Sequence, residues 1–133
     1  MHLAATELGS RYQAYLDCLN RQAWTELGRY VHEAVAHNGR PLGLAGYQAM
    51  LEGDHAAILV LHFTARLQVV EAPWLAAQLD FDCTPRGELF GLAVNGRQVR
   101  FSEHVFYRFE KGRIREVRSV IDIAAIAAQL AEG

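Results

Sequence analysis

Near residue 60 the spacing of apolar side chains changes period, and this constrains the possible folds more than any other feature. Before it, apolar positions recur every three or four residues, as on one face of a helix; after it they alternate, as on one face of a strand. The helical half comes in pieces. Leu8, Tyr12, Tyr15, Leu16 and Leu19 share a face over residues 6–19, and Asn20 interrupts the pattern. Trp24, Leu27 and Tyr30 then predict a shorter second helix ending near Tyr30. Residues 31–37 are short enough to enter a sheet. The run His37-Asn38-Gly39-Arg40-Pro41-Leu42-Gly43 has loop chemistry, because Asn and Gly accept positive φ and Pro gives no ladder donor. A third helix follows, with Leu44, Tyr47, Leu51, His55 and Ile58 facing inward and Gln48, Glu52 and Asp54 facing water.

In the alternating half, Leu61, Phe63, Ala65, Leu67 and Val69 form one side of a strand opposite His62, Thr64, Arg66 and Gln68. Ala72-Pro73 turns the chain, and Leu75, Ala77, Leu79, Phe81 and Cys83 continue the pattern. Asn95-Gly96 predicts a two-residue hairpin turn between residues 92–94 and the strand beginning at Val99. Two long strands then pair around Lys111-Gly112. In the first, Glu103, Val105, Tyr107 and Phe109 share a side; in the second, Ile114, Glu116, Arg118, Val120 and Asp122 do, opposite Arg115, Val117, Ser119 and Ile121. Residues 123–130 could form a terminal helix or tail. The expected fold is therefore α+β, one domain over residues 1–133, with three N-terminal helices packed on a strongly curved antiparallel sheet. Such a sheet closes into a cone whose open end suits a small molecule.

Charge and composition remove several functions. The net charge is -2 and the basic residues are scattered, so no nucleic-acid footprint exists. No uncharged run approaches the roughly 20 residues that cross a bilayer, and no basic-then-apolar start marks a leader, which makes the cytoplasm the expected compartment. Cys18 and Cys83 lack paired spacing and are read as reduced packing residues. Without His-x-His or His-Glu-x-x-His spacing, no metal site is expected.

Asp122 is the candidate reacting group, because a carboxylate between Ile121 and Ile123 would have its pKa raised by desolvation, toward that of a working base. Two other roles fit the same position: an ion pair with Arg118, or the N-cap of the terminal helix. His104 reads as a packing residue, whereas His37 stands where an extended segment meets a loop at the expected pocket mouth.

Several motifs together carry a family resemblance. They are Tyr12 and Tyr15, His37-Asn38-Gly39, Leu79-x-Phe81-x-x-Thr84-x-x-Gly87-x-x-x-Gly91, and Phe106-Tyr107-Arg108-Phe109-x-x-Gly112-x-Ile114 through Ser119-x-x-Asp122 to Gln129-Leu130. The chain resembles the SnoaL-like polyketide cyclases, ester cyclases of the nuclear transport factor 2-like superfamily. The resemblance implies a cofactor-free enzyme in which Asp122 takes a proton from an activated methylene and the enolate closes a ring by intramolecular aldol condensation. It implies Tyr107 as a catalytic donor and Tyr15, His37, Asn38, Glu103 and Arg118 as substrate contacts. Tyr107 stands where such cyclases often carry histidine, and Arg118 stands near a usual tryptophan, which suggests a more polar or anionic ligand. The expected partner is a small apolar carbonyl compound. A homodimer is also expected, since an apolar outer sheet face near Phe106 and His104 needs covering. A ligand-binding module without turnover and a dimerisation domain are the rival readings.

Overall fold

The computed structural model describes residues 4–132. Its first helix, α1 (Ala5–Arg21), buries Leu8, Tyr12, Tyr15, Leu16, Cys18 and Leu19 on the face that the spacing defines. Asn20 does not interrupt α1. Its side chain instead donates to the Phe63 carbonyl (3.0 Å) and accepts from the Phe63 amide (2.7 Å), which ties the helix end to the start of the sheet. A 3-10 helix (Trp24–Arg29) replaces the second expected α-helix and leads into β1 (Val31–His37). Helix α2 (Gly43–Ala57) buries Tyr47 and Leu51.

Strands β2 (Ile58–Leu59), β3 (Thr64–Glu71), β4 (Trp74–Pro85), β7 (Val99–Glu110) and β8 (Arg113–Ile121) join β1 in one curled sheet. The order runs β1-β8-β7-β4, and β2 and β3 share the far edge of β4. All pairings are antiparallel except β1 with β8, which is parallel. That exception follows from the connection: β1 precedes the helix and loop that bring the chain round to the opposite edge. Helix α3 (Ile123–Ala131) ends the chain and packs against β7.

Register corrects two expectations. In β3 the pairing passes from Ala65↔Leu79 to Leu67↔Gln78, so Arg66 is an extra residue. A bulge of this kind moves every later side chain to the other face. Leu67 and Val69, expected inside, are each 59% exposed. A second bulge lies in β8, where Arg108↔Glu116 is followed by Phe109↔Ile114; it turns Ile114 into the core. The Asn95-Gly96 turn also differs from expectation. Both residues have positive φ, but the flanking strand β6 (Leu92–Ala93) pairs with β5 (Glu88–Leu89) across Phe90-Gly91, not with β7. The Lys111-Gly112 turn joins β7 to β8 as expected. Phe90, Asn95 and Lys111 have φ of 52°, 51° and 52°, each followed by a glycine also at positive φ, as type I′ turns require.

The core lies between α1, α2 and the concave face of the sheet. Leu75, Ala77, Leu79, Phe81 and Cys83 of β4 meet Phe101, Val105, Tyr107 and Phe109 of β7 there. Removing one large core side chain from this layer costs about 2–5 kcal/mol, because neither the helices nor the sheet can collapse freely into the space.

Candidate active site

The alternation of β7 sends Glu103 and Tyr107 to the concave face, and β8 sends Val117, Ser119 and Ile121 beside them. Helix α1 supplies Tyr15, β1 supplies His37, and α2 supplies Tyr47 and, two turns later, Asp54. Together they line a cavity of about 210 Å³. One side of it is polar. The other is aromatic: Phe63 meets Phe81 edge-on at 5.4 Å between ring centroids, and Phe81 stacks on Phe101 at 5.2 Å. Phe90, 44% exposed, lies toward solvent beside Phe101.

Glu103 is the most perturbed acid. Burial pushes its carboxyl up to about 7, the nearby Asp54 charge adds to the rise, and a hydrogen bond from the Ser119 hydroxyl opposes it. Ser119 Oγ also lies 3.5 Å from His37 Nε2. Burial, and less strongly the Arg40 charge, lowers the His37 pKa, so its imidazole is neutral near pH 7; its Nδ1 is buried without a partner. Asp54, at the solvent-exposed rim, is raised to about 6 by the apolar wall around its carboxyl. Because water reaches that rim, Glu103 is the better candidate for a group that changes protonation during a reaction.

Tyr15, Tyr47 and Tyr107 line the floor, and Tyr12 is bonded to Tyr107. The Tyr12 hydroxyl donates to that of Tyr107 at 3.2 Å, and the Tyr15 and Tyr47 hydroxyls share a bond of 2.7 Å. Burial raises the pKa of all four, which keeps them neutral hydrogen-bond donors.

Of the residues singled out from sequence, Tyr15, His37, Glu103 and Tyr107 come together in this cavity. Asn38, Arg118 and Asp122 do not line it. Asn38 is a clamp: its Oδ1 accepts from the Ser119 amide (2.8 Å) and its Nδ2 donates to the Ser119 carbonyl (3.3 Å), which fixes β1 against β8. Arg118 lies on the convex face, paired with Glu116 at 2.5 Å and not with Asp122. Asp122 is exposed at the end of β8, where its Oδ1 accepts from the Ala125 amide (3.1 Å) and caps α3. Tyr47, Asp54 and Ser119 were not singled out. A helical signal for Asp54 was present, because Tyr47, Leu51 and Asp54 stand at i, i+4 and i+7 on one face. Ser119 is likewise the one polar residue between Val117 and Ile121 on the concave side. Among the described residues, no three His, Cys, Asp or Glu side chains gather to hold a metal ion, and no helix is long and apolar enough to cross a membrane.

Helices packed on a curled sheet around an internal cavity define the nuclear transport factor 2-like class. Within it, the sequence model of the SnoaL-like polyketide cyclases matches residues 10–130, and the chain belongs to that family. A SnoaL-like polyketide cyclase from Agrobacterium tumefaciens strain C58 is 54% identical, with a TM-score of 0.92 over 92% of this chain and 97% of its own. TsrD from Streptomyces laurentii shares the fold at 19% identity, with a TM-score of 0.83 over 96% of this chain and 97% of its own. AclR from Streptomyces galilaeus, a candidate hydroxylase, shares it at 18% identity, with a TM-score of 0.77 over 98% and 99% of the two chains. Among curated proteins there is no sequence match.

Proposed function

We propose that this chain is an enzyme that takes a proton from an activated carbon beside a carbonyl group, with Glu103 as the base, so that the enolate closes a ring within the same molecule. One observation carries the reading. A carboxyl directed into the cavity is raised by burial to about 7, the range in which a base is both available and strong enough to act. The C–H bond breaks toward a Glu103 oxygen, and its electron pair moves into the carbonyl. The developing negative oxygen is met by a phenolic O–H of Tyr107 or of the Tyr15–Tyr47 pair, donors already aimed and shielded from water. The enolate carbon then attacks a second carbonyl of the folded substrate, whose oxygen takes up the proton held by Glu103 and so restores the carboxylate, and holding that conformer replaces an encounter step. Proton transfer and shape are sufficient for this chemistry, so no cofactor enters the proposal.

Family resemblance alone would give the base to Asp122. Its exposure and its bond to the Ala125 amide favour Glu103 instead, with Asp122 as the helix cap. The two assignments separate in one experiment. The α-hydrogens of ethyl benzoylacetate are exchanged in heavy water by the parent, Glu103→Gln and Asp122→Asn proteins, followed by NMR. Loss of catalysed exchange in Glu103→Gln with retention in Asp122→Asn supports the assignment; the reverse pattern moves the base to Asp122. Absence of catalysed exchange in the parent removes the enzymatic reading and leaves a binding module.

A homodimer belongs to the same proposal. Leu67, Val69, Phe106 and Val120 are 59%, 59%, 54% and 71% exposed on the convex face, a patch that a second copy would cover. Sedimentation at micromolar concentration tests this, with Phe106→Glu expected to give monomer.

A further inference from the structure

Two consecutive residues at the end of β1 converge on one residue of β8. The parallel pairing of these strands stops at His37↔Val117, and the chain turns away at Asn38, where φ is 47°. The edge amide and carbonyl of Ser119, two residues further along β8, therefore face no strand. The Asn38 side chain stands in for one, accepting from the Ser119 amide at 2.8 Å and donating to the Ser119 carbonyl at 3.3 Å. Asn38 is itself exposed and does not line the cavity, so it reaches the site only through Ser119. The ring of His37 comes to the same residue from the cavity side, with Nε2 3.5 Å from Ser119 Oγ.

The hydroxyl held in this way faces Glu103. Ser119 pairs with Val105 across the β7–β8 ladder and Glu103 pairs with Ile121, which makes Glu103 and Ser119 diagonal neighbours on the concave face. A long side chain spans that diagonal, and the Ser119 hydroxyl donates to the Glu103 carboxylate. A hydroxyl has one proton to give and lone pairs to offer. Once the proton is committed to an ionised Glu103, Ser119 can only accept, so the His37 imidazole donates from Nε2. Its Nδ1 then carries a lone pair. That tautomer agrees with Nδ1 being buried without a partner, because an N–H there would have nothing to donate to.

Resting on the reading of Glu103 as the base, we propose that His37 and Asn38 are positioning residues that act together through Ser119, whose hydroxyl holds the Glu103 carboxylate aimed for proton transfer. Asn38 fixes the Ser119 backbone, His37 meets its oxygen, and Ser119 meets the carboxylate, so an exposed side chain at the end of β1 governs a buried acid on β7. The other titratable groups facing Glu103 are Asp54 and Tyr47 of α2, Tyr15 of α1 and Tyr107 of its own strand. Burial keeps the three phenols neutral, and burial with the Arg40 charge beyond it keeps His37 neutral. Asp54 alone brings a charge, and it opposes ionisation of Glu103 where the Ser119 hydroxyl favours it. Among these groups Ser119 is therefore the one that supports the working form of the base.

Isotopic labelling of the glutamate side-chain carboxyl lets NMR follow the Glu103 titration in the full chain, with Glu103→Gln identifying its resonance, and this readout needs no turnover. Ser119→Ala should move the Glu103 pKa upward from about 7 by about one unit and slow the exchange of ethyl benzoylacetate at about pH 6 by about three- to tenfold. Ser119→Cys, close in volume and a weaker donor, gives the same reading should the alanine variant fold poorly. Asn38→Gly tolerates the positive φ and keeps the backbone bond to the Val117 carbonyl, so it removes the clamp alone and should give about half that shift. His37→Leu should move the titration the same way, and His37→Gln, which restores a donor, by less. The double variant decides the matter: added to Ser119→Ala, Asn38→Gly should shift the titration no further, because the clamp acts through the hydroxyl. Additive shifts overturn the inference, as does an unmoved titration in Ser119→Ala. An Asn38→Gly protein that loses stability in urea while Glu103 titrates as before also overturns it and leaves the clamp as an extension of the ladder. If the titration shifts appear but Glu103→Gln exchanges like the parent, only the base assignment breaks; if exchange is lost in Glu103→Gln but no shift appears, only the positioning chain does.

Discussion

Glu103 and Asp122 are neighbours in the same ladder, since Glu103 pairs with Ile121, the residue before Asp122. Their surroundings differ completely. Glu103 is in mid-strand, where pleating fixes its side chain on the concave face, among phenylalanines and tyrosines. Asp122 follows the last strand residue, where the backbone leaves the sheet and its carboxylate turns to the free amides of α3. A short polar side chain at such a junction satisfies helix donors, whereas a longer one inside the strand has no choice but the cavity. Being a carboxylate within an apolar sequence does not decide which of the two reaches the cavity; position along the strand does.

The largest effect expected from breaking this contrast is on catalysis. Glu103→Gln should lower catalysed hydrogen exchange by about 10²–10⁴-fold, the range contributed by a positioned base, while Asp122→Asn should stay within about threefold of the parent, because Asn also caps helices. Heavy-water exchange followed by NMR reads both.

Stability sharpens the contrast from the other side. Glu103 is raised from 4.5 unfolded to about 7 folded, so folding favours its protonated form. That contribution is complete below the unfolded value and is lost as pH rises through about 7, leaving a buried charge above it. Glu103→Gln carries no such charge and should be more stable than the parent by on the order of 2–3 kcal/mol at about pH 8, with the difference vanishing near pH 4. Urea unfolding at the two pH values measures it. An equal difference at both would mean that packing, not ionisation, is responsible.

Asp122 should show the opposite profile. Asp122→Ala removes the bond to the Ala125 amide and should destabilise by about 1 kcal/mol. Asp122→Asn should restore most of that, and neither should change the exchange rate beyond the loss of folded protein. A loss of exchange in Asp122→Ala greater than the loss of folded protein would return a catalytic role to this residue.

Much of this contrast was legible in the sequence. The change of period near residue 60 predicted helices before strands, and the alternation in β7 put Glu103 and Tyr107 on one face. What was not legible depended on single extra residues and on partners far along the chain. The bulges at Arg66 and Arg115 reverse side-chain direction without a local signal, because a bulge is recognised only from the strand opposite. Leu67 and Val69 were therefore assigned to the wrong face, and Ile114 was grouped with Arg118. Asp122 had three sequence readings, base, partner of Arg118 and cap, and only the direction of the chain after Ile121 distinguishes their geometry. Asp54 is exposed, as its charge led one to expect, and its spacing from Tyr47 and Leu51 also sets it at the cavity rim.

Asp54 provides the smallest and most specific test of the Glu103 environment. Its charge helps burial to hold Glu103 up, by less than the Ser119 hydrogen bond opposes it. Asp54→Asn removes that charge without emptying the rim, so the Glu103 pKa should fall from about 7 toward its ordinary 4.5 by only part of the difference. Exchange requires the ionised carboxylate, so its rate rises with pH through that pKa, and the acid limb should move to lower pH by about half a unit. The plateau rate above it should fall slightly, since a less basic carboxylate is a weaker base. A limb that moves upward, or stays fixed while the plateau collapses, would make Asp54 a direct participant in the proton transfer and not a neighbour of the residue that performs it.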